Sequence, residues 1–315
     1  MQRALPILAG LLLFTTGAQA APQVVATTKP IHSLVASVMA GIGEPDLLVD
    51  GAASPHTYSM KPSDAAALET ADIVFWTGHG LELFLGEALG TLSSRATLVE
   101  LAATPGVELL PMRSGGAFES HDHEGHEHDH HEPHDHAEHD HAEGEADMHF
   151  WLDPDNAALM VEHIAAVLSE ADPDNAAAYT ANASATAEAL AALEAELETT
   201  LAPVADRPFI VFHDAYQYFE HRFGLAAAGS ITVSPEVLPG AARIDALRHV
   251  IADRNAVCVF AEPNFEPALV GTVTEGTPAR AGTLDPEGSA LEAGPDLYAE
   301  LMRGLATAMA ECLAE

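Results

Sequence analysis

The chain has 315 residues, with 12 Lys and Arg against 48 Asp and Glu and a formal net charge of -36 at pH 7. That balance argues against a nucleic acid or an anionic membrane as partner, since both need clustered Lys and Arg to meet phosphates; it suits cations, or a solvated acidic surface kept for solubility. With 48% hydrophobic residues the chain can bury real cores, and its length suits two compact domains.

Met1-Gln2-Arg3, the apolar run over 4–14 and Ala18-Gln19-Ala20 have the charged, hydrophobic and small-residue order of a secretory signal peptide, with cleavage expected after Ala20. No later stretch approaches the roughly 20 apolar residues of a membrane span. No cysteine follows the signal, so a lipid anchor is not expected.

Residues 24–28 read as a buried strand, and 31–39 carry helical spacing at Ile31, Leu34, Val35 and Val38. A strand at 47–49 follows. Ser63 and Asp64 offer an N-cap for a helix over 65–70, and 73–76 is a β-run ending at Gly78-His79-Gly80. With a fourth strand at 97–101, the first half reads as an α/β unit with a parallel sheet.

From 115 to 147 the sequence is almost purely His, Asp, Glu and small residues. Its histidines are His121, His123, His126, His128, His130, His131, His134, His136, His139 and His141. Such a stretch has too little apolar surface to offset chain entropy and is expected to be a disordered loop that holds metal weakly.

Asp153-Pro154 and Asp172-Pro173 each place a capping residue before a proline, so two helices are expected to begin there. The second runs to about Leu201, with apolar residues Tyr179, Ala183, Ala187, Leu190, Leu193, Leu197 and Leu201. At 1.5 Å per residue it spans about 40 Å. It is a strut between two lobes or a surface helix of one. Strands then return at 209–212, 257–261 and 281–284, with helices at 241–251 and 296–313. The expected plan is a signal over 1–20, an N-terminal lobe over 21–172, a linking helix over 173–202 and a C-terminal lobe over 203–315. Cys258 and Cys312 are the only cysteines. After a signal peptide a disulfide is the default and two free thiols the alternative; closing about 55 residues is worth about 4 kcal/mol.

Ligands of open parallel sheets bind outside the carboxyl ends of the strands. His56 lies shortly after the second strand, His213 directly after 209–212 and Asp285 directly after 281–284. His149, between Met148 and Phe150-Trp151, sits among side chains that pack and hold a ring in one orientation. Three imidazoles and a carboxylate suit tetrahedral zinc. The plain alternatives are histidines satisfied by a backbone bond and an Asp-Pro turn cap. His32 and Glu262 are candidates for orienting a ligand ring from behind, and His163, His221 and His249 read as surface residues.

Taken together, Ala53-Ser54-Pro55-His56, Lys61-Pro62-Ser63-Asp64, the acidic His tract, Met148-His149-Phe150-Trp151-Leu152, Phe212-His213-Asp214-Ala215-Tyr216, Phe260-Ala261-Glu262-Pro263 and Gly282-Thr283-Leu284-Asp285-Pro286 form a specific set. Through them the chain resembles the zinc-specific periplasmic solute-binding proteins of ABC-type importers. The resemblance covers nearly the whole mature chain. It implies two α/β lobes, each with a parallel sheet flanked by helices, joined by one long rigid helix. Zn²⁺ is then the transported ligand, held in the cleft by His56, His149 and His213, and Cys258 pairs with Cys312. The implied partners are a membrane permease and a periplasmic zinc chaperone, with a monomer in the periplasm and no chemical step. Manganese receptors of that superfamily carry a carboxylate where His213 stands, which favours zinc. Relatives often have Pro-Glu where this chain has His79-Gly80, so the fourth ligand is Asp285, a water or His79. Competing readings are a periplasmic zinc buffer acting through the tract and a zinc hydrolase; the hydrolase lacks a His-Glu-x-x-His helix.

Overall fold

A computed structural model describes residues 21–314 except 52, 114, 116, 119–145, 233–238 and 266. The signal peptide read over 1–20 and the tract histidines from His121 to His141 lie outside the described residues.

The first half contains β1 (Val24–Ala26), α1 (Lys29–Val38), β2 (Asp46–Leu47), α2 (Pro62–Thr70), β3 (Ile73–Trp76), α3 (Gly86–Leu92) and β4 (Thr97–Glu100). Its four strands form a parallel sheet in the order β2-β1-β3-β4. Two helices, α4 (Pro154–Ala171) and α5 (Ala176–Leu201), lead to the second half. There β5 (Phe209–His213), α6 (Gln217–Phe223), β6 (Ala227–Thr232), α7 (Ala241–Arg254), β7 (Cys258–Ala261), α8 (Pro267–Thr274), β8 (Arg280–Thr283) and α9 (Leu297–Leu313) follow. The second parallel sheet has the order β6-β5-β7-β8. The chain thus has two parallel four-stranded sheets flanked by helices, with a long helix between lobes, as the sequence led one to expect.

The central strands β3 and β5 are buried along their whole length, which is why they read as continuous apolar runs. The long helix α5 buries Tyr179, Ala183, Leu190, Leu193, Leu197 and Leu201 against α4, α1 and α9. One continuous core therefore runs from Val24 and Phe75 of the first sheet through α4 and α5 to Phe209 and Phe260 of the second. Cys258 and Cys312 are disulfide-bonded, tying β7 to the end of α9. Among the described residues no helix is long and apolar enough to cross a membrane.

The structure differs from the sequence reading in local ways. Helix α2 starts at Pro62, and Asp64 sits three positions in, its Oδ2 accepting the Lys61 N–H at 2.7 Å. Before α5, Pro173–Asn175 forms a single 3-10 turn, and the Asp172 carboxylate accepts from Asn175 Nδ2 and the Tyr179 hydroxyl rather than from a helix N–H. Strand β6 had no counterpart in the sequence reading. Its Ala-Ala-Gly-Ser-Ile-Thr lacks an apolar run, and pairing with β5 defines it.

Candidate metal site

Three imidazoles meet beside the carboxyl end of β5. His213 is the last residue of β5. His149 precedes a 3-10 turn over Phe150–Leu152, whose three side chains are all buried. His56 lies in the loop after β2, anchored nearby by the Tyr58 hydroxyl, which donates to Leu48 O and Asp64 Oδ2. The His149 Nε2 lies 3.3 Å from that of His56 and 3.3 Å from that of His213. One ring nitrogen from each lies within 4.8 Å of the others, the one such group of three or more candidate metal ligands among the described residues.

The ring tautomers follow from the partners behind them. His149 Nδ1 is 2.7 Å from Asp147 Oδ1, and His213 Nδ1 is 2.7 Å and 2.8 Å from the two oxygens of Glu262. A carboxylate only accepts, so in each ring Nδ1 carries a proton and Nε2 is the nitrogen turned to the common centre. Burial holds His56 well below its ordinary value of 6.5, with His149 and His213 adding to the effect, so this ring is neutral. Burial also opposes charge on His213, but Glu262 beside it outweighs burial and pushes His213 up. Imidazole nitrogens converging in a buried place suit a borderline-soft divalent cation, which binds them once their Nε2 protons are gone.

The other candidates stand elsewhere. Asp285 Oδ1 accepts the Glu287 N–H at 3.2 Å and Oδ2 accepts the Ser289 hydroxyl at 2.8 Å, so it organises its own turn and is not in the group of converging donors. His79 is largely exposed, its Nδ1 3.3 Å from Glu100 Oε1 and its ring edge-on to Trp76. Gly80 leaves no room for a side chain, since a Cβ there would meet Cγ of Met148 at 2.5 Å. His32 bonds the Pro45 carbonyl from within α1, while Glu262 does orient a ring. His221 and His249 are exposed and His163 is half-buried.

Sequence reasoning missed Asp147, although a carboxylate two residues before a histidine is within reach of its near ring nitrogen. It also missed Glu82, whose buried carboxylate accepts from Thr27 Oγ1 and from the Thr77 and Gly78 N–H groups. Glu287 is buried, its Oε1 has no hydrogen-bond partner among the described residues, and burial together with Asp285, Glu82 and Glu262 raises it well above the carboxylate range.

The family described as "Zinc-uptake complex component A periplasmic" (ZnuA) matches residues 24–312. A Brucella suis biovar 1 (strain 1330) protein named "High-affinity zinc uptake system protein ZnuA" is 52% identical over 306 residues, covering 93% of this chain and 92% of its own. A Paracoccus denitrificans (strain Pd 1222) protein of the same name is 42% identical over 299 residues, covering 93% and 92%. The structure described as "Crystal structure of ZnuA" superposes with a TM-score of 0.75 at 25% identity, covering 93% of this chain and 99% of that one.

Proposed function

Because the chain belongs to the periplasmic zinc-uptake component A family, we propose that it captures Zn²⁺ between its lobes on His56, His149 and His213 and delivers it to the permease of an ABC importer. The convergence of three imidazole nitrogens, two of them backed by carboxylates, carries this reading. Zinc takes a fourth ligand readily, and water is the simplest here, with Asp285 engaged in its own turn. No chemical step is required of the protein. The lobes in this reading are residues 21–172 and 203–315, joined by 173–202, and the mature chain works in the periplasm after cleavage behind Ala20. The tract histidines from His121 to His141 serve as auxiliary weak sites.

Each ligand removed from a three-imidazole set weakens it sharply, which gives a receptor a route to release, since a small separation of the lobes takes a ligand away. The experiment is zinc stoichiometry and affinity by chelator competition on metal-free protein lacking residues 119–145, beside its His149→Ala form. One tight site, weakened by the substitution and indifferent to manganese, is expected. Loss of tight binding with the tract alone would make the protein a zinc buffer instead.

A further inference from the structure

His149 follows the first sheet in the chain, yet bonds from the second half fix its surroundings. Asp147, whose carboxylate sets the His149 ring, is itself held through its backbone. Its N–H donates to Leu110 O at 2.8 Å, and its carbonyl accepts the Tyr218 hydroxyl at 2.7 Å. The same hydroxyl accepts the Leu110 N–H at 2.8 Å. Leu110 and Asp147 thus lie side by side, an antiparallel bridge joins the next pair, Pro111 and Ala146, and one phenolic oxygen closes the ribbon. Gln217 adds a bond from Nε2 to Pro111 O. Tyr218 is buried in the first turn of α6, five residues beyond His213.

The residues after His149 are tied the same way. Trp151 Nε1 donates to Pro286 O, the Tyr298 hydroxyl donates to Trp151 O, and Arg222 grips both oxygens of Asp153 at 2.8 Å. Toward the first sheet the segment presents Met148, which packs over Gly78 and Gly80.

We propose that Tyr218 is a positioning residue for zinc binding: its hydroxyl sets His149 through Asp147, so the β5–α6 unit governs two imidazoles, His213 directly and His149 at one remove. This rests on the zinc-site reading above. Phenylalanine at 218 fills the same space but removes both bonds, leaving the Leu110 N–H and the Asp147 carbonyl without their buried partner. The Asp147 carboxylate then loses its fixed base, and the ring it orients loosens.

The test is a set of double-substitution cycles read as zinc affinity by chelator competition. Tyr218→Phe is expected to weaken binding on the order of tenfold. Added to Asp147→Ala it should change little further, within about twofold, because both act through one ring; added to Glu262→Ala the two losses should multiply. An unchanged affinity for Tyr218→Phe, or losses that multiply with Asp147→Ala as they do with Glu262→Ala, would overturn the proposal. Amide exchange of the unsubstituted protein gives a check that needs no variant to fold. Leu110 and Asp147 amides should be protected alike with and without zinc, and their exposure in metal-free protein while α6 stays protected would overturn it as well. Failure of the unsubstituted protein to bind zinc overturns the functional reading alone; zinc binding that ignores Tyr218 overturns only this one.

Discussion

Nδ1 of His213, at the end of β5, lies 2.7 Å from Oε1 of Glu262, the residue that follows β7. One strand end thus supplies the imidazole and its neighbour supplies the group that turns it. Glu262→Ala frees the ring to rotate and to exchange tautomers, and zinc affinity should fall about 10–100-fold. Glu262→Gln, whose amide oxygen still accepts, should lose less. Chelator competition on both variants checks the order.

Zinc capture should weaken in acid, with an onset set by His213. Its pKa is raised above the ordinary 6.5, so it holds a proton to higher pH than a free imidazole, and zinc must displace that proton. In the metal-free protein the sign is opposite. A raised folded pKa stabilises the fold below the unfolded value of 6.5, and that contribution is lost as pH rises through the folded pKa. Glu262→Gln should move the onset of weakened binding to lower pH, measured as apparent zinc affinity across about pH 5 to 8.

Glu287→Gln should stabilise the metal-free protein at neutral and alkaline pH. The native carboxyl is buried and raised well above 4.5, so the folded state holds a proton that the unfolded chain releases. Stability from that proton is present below about pH 4.5 and is lost as pH climbs through the folded pKa. Glutamine mimics the protonated acid and does not titrate. The gain, on the order of 1 kcal/mol or more per pH unit across that window, should vanish on acidification toward about pH 4.5; thermal unfolding at several pH values reads it.

Removing the disulfide should cost stability and spare the site. With a sequence separation of 54 between Cys258 and Cys312, the chain-entropy model gives about 4 kcal/mol. Cys258 opens β7, while Glu262 follows its far end, so zinc affinity of a Cys258→Ala/Cys312→Ala double variant should stay within a few-fold of the original. Urea unfolding and chelator competition separate the two effects.

Gly80→Glu should destabilise the fold when made alone, because the new Cβ meets Cγ of Met148 at 2.5 Å. Met148→Ala should restore part of the loss by opening that space. Non-additive unfolding free energies in the two single and one double variants are the expected result.

Much of this architecture was legible in the sequence because it is written in long-period signals. The runs Ile73–Trp76 and Phe209–His213 are buried strands and read as such, and the leucines of α5 fall on one buried face. Strand β6 was not legible, since small residues acquire strand character only from a neighbour. For the site, the positions of His56, His149 and His213 after strands or in a packed turn suggested a meeting, but only the topology brings residues 93 and 64 positions apart into contact. Asp285 was singled out by the same strand-end logic, yet its carboxylate bonds two residues and four residues ahead. Tyr218 left no sequence signal, because an aromatic in a buried helix turn has many uses and its partner Asp147 lies 71 residues away.

The bridge between Pro111 and Ala146 pins the chain just before Asp147, while on the near side of the His tract Ala117 O accepts the Ser230 N–H of β6. The carboxylate behind His149 thus takes its place from backbone bonds to Leu110 and Tyr218, none of which involves a tract histidine. A change in the number of tract histidines should therefore leave the orientation of His149 as it is.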